Sequence, residues 1–97
     1  MIVIIANYLP DAVRGKLKLW FIEPQPNFFV SGIKDQLAQR VADMVLKHCP
    51  VESGLLIFLE TSQTPFFKVL VKGNPKSMIS NISSLQLIAP KFPHSAV

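Results

Sequence analysis

Ninety-seven residues, 49% of them hydrophobic and only 16% charged, make one small domain with more apolar material than it can hide, because a chain this short buries only about 60–65% of its unfolded surface. The excess is read as an oligomer interface, most simply that of a two-fold homodimer. Ten Lys and Arg against six Asp and Glu give a net charge of +4, which favours anionic partners: nucleic acid, a membrane surface or a phosphorylated ligand. The single cysteine, Cys49, excludes an intrachain disulfide, and no apolar run approaches the ~20 residues that span a bilayer.

Ile2 to Ala6 is a continuous, largely β-branched apolar run and reads as a central strand buried on both faces. A turn at Pro10 follows, with Asp11 as the expected cap of a first helix. Val13, Leu17, Trp20 and Phe21 recur at helical spacing and form its inner face, so Trp20 and Phe21 are expected in the core. Arg14 and Lys18, four apart, share another face. With Lys16, and with Gly15 offering no side chain between them, they make a surface that a phosphate backbone can approach closely. Only two of the ten cations are arginines, so the pattern points to backbone tracking more than to base reading.

Glu23-Pro24-Gln25-Pro26-Asn27 interrupts the helical period. Phe28-Phe29-Val30 is a short strand expected at an edge, and Ser31 is the expected cap of a second helix. Ile33, Leu37, Val41, Met44, Val45 and His48 trace the inner stripe of that helix, which ends at Cys49-Pro50. Leu55 to Glu60 and Phe66 to Lys72, joined by T-S-Q-T-P, form a hairpin. Its alternation places Leu55, Ile57, Leu59, Phe67, Val69 and Val71 on one face and Leu56, Phe58 and Leu70 on the other, with Lys68 and Lys72 among them. Two largely apolar faces need two covers: the helices supply one and a second copy of the sheet is the economical other. Gly73 to Ser77 is a loop, Leu85 to Ile88 a last short strand, and residues 90–97 a tail beyond a domain of residues 1–89. The order of elements is that of a ferredoxin-like β-α-β sandwich, an α/β (α+β) fold, with an added C-terminal strand. The opening M-I-V-I-I-A has no basic segment ahead of its apolar run, so a cytoplasmic location is expected.

Chemistry-bearing residues are few. His48 and Cys49 are neighbours on a helix, point in different directions and have no further ligand close by in sequence; helix-end packing is the expected role. Glu23 and Glu60 follow helix or strand ends, where an ion pair with lysine is expected over a metal. No Gly-rich phosphate loop, nucleophile elbow, zinc motif or dinucleotide fingerprint occurs.

The pattern P-x-x-V-R-G-x-L-x-x-W-F-x-E, from Pro10 to Glu23 behind a short hydrophobic strand, resembles the start of the CRISPR-associated Cas-two family in its type I-E branch. Val30 ahead of the second helix, the hairpin, Gly73 and the terminal L-Q-L-I extend the likeness over nearly the whole chain. The resemblance implies a homodimer with two ferredoxin-like sheets packed face to face. It also implies a role in spacer acquisition, in which the dimer bridges Cas-one integrase dimers and lays double-stranded prespacer DNA across its basic surface. Carried over by position, the backbone-contacting arginine of the first helix is Arg14. Of a basic pair after the hairpin, Lys76 is retained and the second position is Ser77. Gln36 and Ala12 stand where the family has other phosphate-contacting residues, and Lys16, Lys18 and Lys72 are expected to compensate. Leu85, Leu87, Ile88 and Lys91 would pack on the partner protomer and dock the integrase. The alternative implied function is a metal-dependent endonuclease, acting on RNA or DNA, built on a carboxylate at the end of the first strand. That position is Asn7, or at most Tyr8, here. Mg2+ is the cofactor that retained nuclease activity would require, and it prefers charged oxygen ligands. Asn7 with Asp11 is the candidate catalytic pair, and a non-catalytic scaffold is the favoured expectation.

Overall fold

The computed structural model describes residues 1–75. They form β1 (Ile2–Ile5), α1 (Asp11–Leu17), β2 (Ile22–Gln25), β3 (Phe28–Ser31), α2 (Asp35–His48), a single 3-10 turn (Val51–Ser53), β4 (Leu55–Glu60) and β5 (Phe67–Lys72). The sheet order is β2-β3-β1-β4-β5, with every neighbouring pair antiparallel. The first four strands and two helices are the complete ferredoxin-like β-α-β-β-α-β unit, and β5 adds to it as a hairpin on β4. The β-branched run of β1 takes the centre, bonded on one side to β3 and on the other to β4.

Alternation along the strands sorts side chains to two faces. Ile2 and Ile4 of β1, Phe29 of β3 and Leu55, Ile57 and Leu59 of β4 point to the helices and are buried with Val13, Leu17, Val41 and Val45. Phe21 joins them, meeting Phe29 edge to face with ring centroids 6.4 Å apart. Ala38 and Ala42, both buried, form part of the sheet-facing side of α2.

Several local expectations are corrected. The first helix ends at Leu17, because the chain tightens there: Leu19 and Trp20 donate backbone hydrogen bonds to Lys16 and Leu17 three residues back. The turn sends Phe21 inward and Trp20 outward, so Trp20 is exposed where a core position is expected. Pro10, not Asp11, is the α1 N-cap, and Asp11 is the first helical residue. Ser31 closes β3, and its hydroxyl accepts a bond from the Ile33 N–H; α2 begins later, behind Lys34. Leu37 and His48 of the expected inner stripe are exposed.

β2 is a strand that the proline-rich stretch conceals. It lies at the edge, where Pro24 can sit in a sheet. Its presence moves β3 from the expected edge to an internal position.

The hairpin faces also differ from the expected grouping. Glu60 pairs with Phe67 and Leu55 with Lys72, so odd-numbered positions on β4 oppose even-numbered ones on β5. Leu55, Ile57 and Leu59 therefore share the helix side with Lys68, Leu70 and Lys72. Phe67, Val69 and Val71 lie on the far side with Leu56, Phe58, Val3, Ile5, Phe28 and Val30. The far face is still apolar from β3 across to β5, as expected, and Val69 and Val71 on it are 52% and 56% exposed. The expected strand at Leu85 to Ile88 and the expected tail at 90–97 lie outside the described residues. No helix among the described residues is long and apolar enough to cross a membrane.

Candidate nucleic-acid interface

The cations of the first helix divide into two kinds. Arg14 is built into the fold. Its Nη1 donates to Glu23 Oε2 at 2.7 Å, its Nη2 donates to Asn27 Oδ1, and its guanidinium carbon lies 5.5 Å from the centre of the Phe29 ring. Asn27 completes the cluster. It sits in the left-handed region at φ 63°, in the β2–β3 turn, a conformation that asparagine tolerates. Its backbone N–H donates to Glu23 Oε2 at 2.8 Å, its Nδ2 donates to the Asn7 carbonyl at 2.9 Å, and its own carbonyl accepts from the Ala6 N–H at 3.0 Å. The backbone bond from Asn27 and the Arg14 guanidinium hold the Glu23 carboxyl below its ordinary value. The lysine partner expected for Glu23 is thus Arg14, with Lys18 contributing only at longer range.

Lys16 and Lys18 are exposed and make no hydrogen bond or ion pair among the described residues. Gly15 between them is exposed, and a Cβ built there meets nothing within 4 Å. A phosphate group can therefore reach the α1 backbone beside two uncommitted ammonium groups. Lys72 is half-buried on the helix side of β5, and its Nζ donates to the Leu46 carbonyl at 2.6 Å, which ties it to the last turn of α2. Lys76, Ser77, Leu85, Leu87, Ile88 and Lys91 lie outside the described residues. Ala12 and Gln36 are exposed.

Arg14, Lys16, Lys18, Lys34, Arg40 and Lys47 lie on the helices or their caps, and Lys68 and Lys72 on the helix-facing side of β5. The far sheet face carries no lysine or arginine at any described strand position. Positive charge and the uncovered apolar surface are on opposite sides of the sheet.

Asn7 acts as a staple. Its backbone N–H donates to the Ser53 carbonyl at 2.8 Å and its side-chain Nδ2 to the Asn74 carbonyl at 2.9 Å, joining the end of β1 to the chain leaving β5. Gly54 and Gly73, at φ 58° and 78°, leave room for that join; a Cβ on either would collide with the Asn7 amide or the Val51 carbonyl oxygen. Asp11 is exposed at the start of α1. No group of three or more His, Cys, Asp or Glu able to hold a metal occurs among the described residues. A neutral amide already donating to a carbonyl, with one solvent-facing carboxylate four residues on, does not fit Mg2+. Tyr8 is exposed.

The remaining candidates have structural roles. Glu60 pairs with the Met1 ammonium at 2.6 Å rather than with a lysine. His48 is exposed while Cys49 is buried, and burial pushes the Cys49 thiol up from its ordinary value, away from nucleophilic chemistry.

Sequence reasoning missed Asn27, the residue on which the Arg14 cluster converges. A signal was present: E-P-Q-P-N between Ile22 and Phe28 is a turn flanked by apolar residues, and asparagine is a preferred left-handed residue in such turns.

Among curated proteins, no sequence matches this chain. Residues 1–87 match the family described as CRISPR-associated protein, Cas_Cas2CT1978. That match covers the ferredoxin-like unit, the Arg14 cluster and the lysine pair together, and the chain belongs to this CRISPR-associated Cas-two family.

Proposed function

We propose that the chain is a duplex-DNA-binding scaffold of CRISPR adaptation, of the type I-E kind. It works as a two-fold homodimer joined through its sheet faces and bridges dimers of the Cas-one integrase during spacer acquisition in the cytoplasm. One observation carries this reading: the separation of charge from grease across the sheet. Joining two far faces hides the apolar surface without bringing cations together. It leaves the helix sides, with Lys16, Lys18 and the bare backbone at Gly15, facing outward toward phosphates. Arg14 contributes its field and the shape of the α1–turn corner, since two of its nitrogens are already engaged. Lys76 would add charge beyond the hairpin, and Leu85, Leu87, Ile88 and Lys91 would dock the integrase. The nuclease alternative draws no support from Asn7, whose side-chain amide serves the fold.

The test is a duplex-binding titration across salt concentrations, made with and without the integrase. Binding should be sequence-tolerant, and its logarithm should fall linearly with the logarithm of salt. Lys16→Ala and Lys18→Ala should each lower the slope by about 0.9 if each contacts one phosphate. A slope unchanged in the double variant removes these lysines from the interface. Mg2+-dependent cleavage that disappears in Asn7→Ala would instead establish the nuclease.

A further inference from the structure

Outside the phosphate-facing corner, the helix side carries an apolar groove. The tight turn after α1 turns Leu19 and Trp20 outward, 71% and 44% exposed, and α2 presents Leu37 across from them, 42% exposed. With Val41 and Met44 at its base, the groove has a volume of about 350 Å³. That is the range in which a cleft admits large side chains of a ligand or partner. Its other two lining residues are both cations, Lys16 and Arg40, and no carboxylate lines it.

This arrangement is more specific than scattered surface hydrophobicity. Exposed tryptophan, leucine and methionine gathered around one depression and rimmed by charge are the composition of a protein-docking patch, in which the aromatic residue carries much of the affinity. The sheet does not need Trp20 for its core, since Phe21 and Phe29 fill that space. The groove runs between the end of one helix and the flank of another, a shape that receives a short helix laid in by its apolar stripe. The two rim cations select the flanks of that stripe: carboxylates complement them, and ammonium groups are repelled. A nucleic-acid strand is the poorer fit, because five of the seven lining side chains are apolar.

We propose that the groove between the α1 turn and α2 docks a short amphipathic helix of a partner protein, apolar at positions i, i+3 or i+4 and i+7 and flanked by Asp or Glu. The surface is distinct from the far sheet face and does not depend on the adaptation reading. Trp20, the single tryptophan of the chain, reports on it directly.

The experiment titrates the full chain with two synthetic helical peptides that share Leu and Phe anchors, one flanked by Glu and the other by Lys, and follows Trp20 emission. The Glu peptide should give a saturable blue shift, at least tenfold tighter than the Lys peptide. Arg40→Glu should weaken the Glu peptide at least tenfold and strengthen the Lys peptide, with an unchanged melting temperature showing that the fold is intact. Leu37→Asp should abolish binding of both. Equal binding of the two peptides, no saturable shift with either, or insensitivity to Arg40→Glu overturns the proposal. So does a shift given by duplex DNA or phosphatidylglycerol vesicles but not by the Glu peptide, which assigns the groove to nucleic acid or lipid instead.

Discussion

Arg14 is the residue at which fold and function overlap. From spacing alone it is one of three surface cations on a short helix, and that much was legible: it lies on α1, half-buried, beside two exposed lysines. Its engagement with Glu23 and Asn27 was not, because those groups come within reach only when the β2–β3 turn folds back over the helix. The pairing separates two variants that charge counting would treat as mirror images. Arg14→Ala should lower both the melting temperature and duplex affinity. Glu23→Gln should also lower the melting temperature, yet it should strengthen duplex binding a fewfold at low salt by leaving the guanidinium uncompensated; paired melting curves and binding isotherms decide. The Glu23 carboxyl is held below its ordinary value, 4.5, in the folded chain. Its contribution to stability is therefore complete above about pH 4.5 and is lost as pH falls through the lower, folded-state value. Glu23→Gln should remove that part of the acid sensitivity, measured as melting temperature against pH. Gly15 offers a third contrast. An alanine there fits without contact and should stabilise the helix by about 0.5–1 kcal/mol, while weakening duplex binding if phosphate uses the bare backbone.

At the scale of elements, the long periodic segments were legible and the short ones were not. The β1 run, the α2 stripe and the hairpin announce themselves by repetition: Ile2 to Ile5, Val41 with Val45, and the apolar strands on either side of T-S-Q-T-P. β2 has four residues, one of them proline, and no local pattern outweighs that; only pairing with β3 makes it a strand. The hairpin was found, but its faces were exchanged on β5, since register depends on the number of turn residues and a shift of one sends every side chain to the other face. The join behind the hairpin was equally hidden, as it brings Asn7, Gly54, Gly73 and Asn74 together across most of the chain. Gly73→Ala should cost at least ~2 kcal/mol, combining the left-handed backbone with a collision at the Val51 carbonyl, whereas Gly15→Ala has the opposite sign. Chemical denaturation of the two variants side by side tests both claims.

For the molecule as a whole, composition had already asked for a second cover, and the far face of the sheet supplies the surface that needs one. Val69 and Val71 are exposed there on the outermost described strand. If two copies meet through this face, Val69→Asp should weaken the dimer roughly a hundredfold, since a carboxylate buried without a partner is strongly unfavourable. The folded monomer should be little affected, because the position is open in a single chain; light scattering over a dilution series separates the outcomes. Because the far face holds no cation at its strand positions, the two associations respond differently to electrolyte. Attraction to a polyanion fades as counterions crowd in, while aversion of grease to water persists or grows. A wash in concentrated sulfate should therefore strip nucleic acid from the paired protein and leave the pair itself intact.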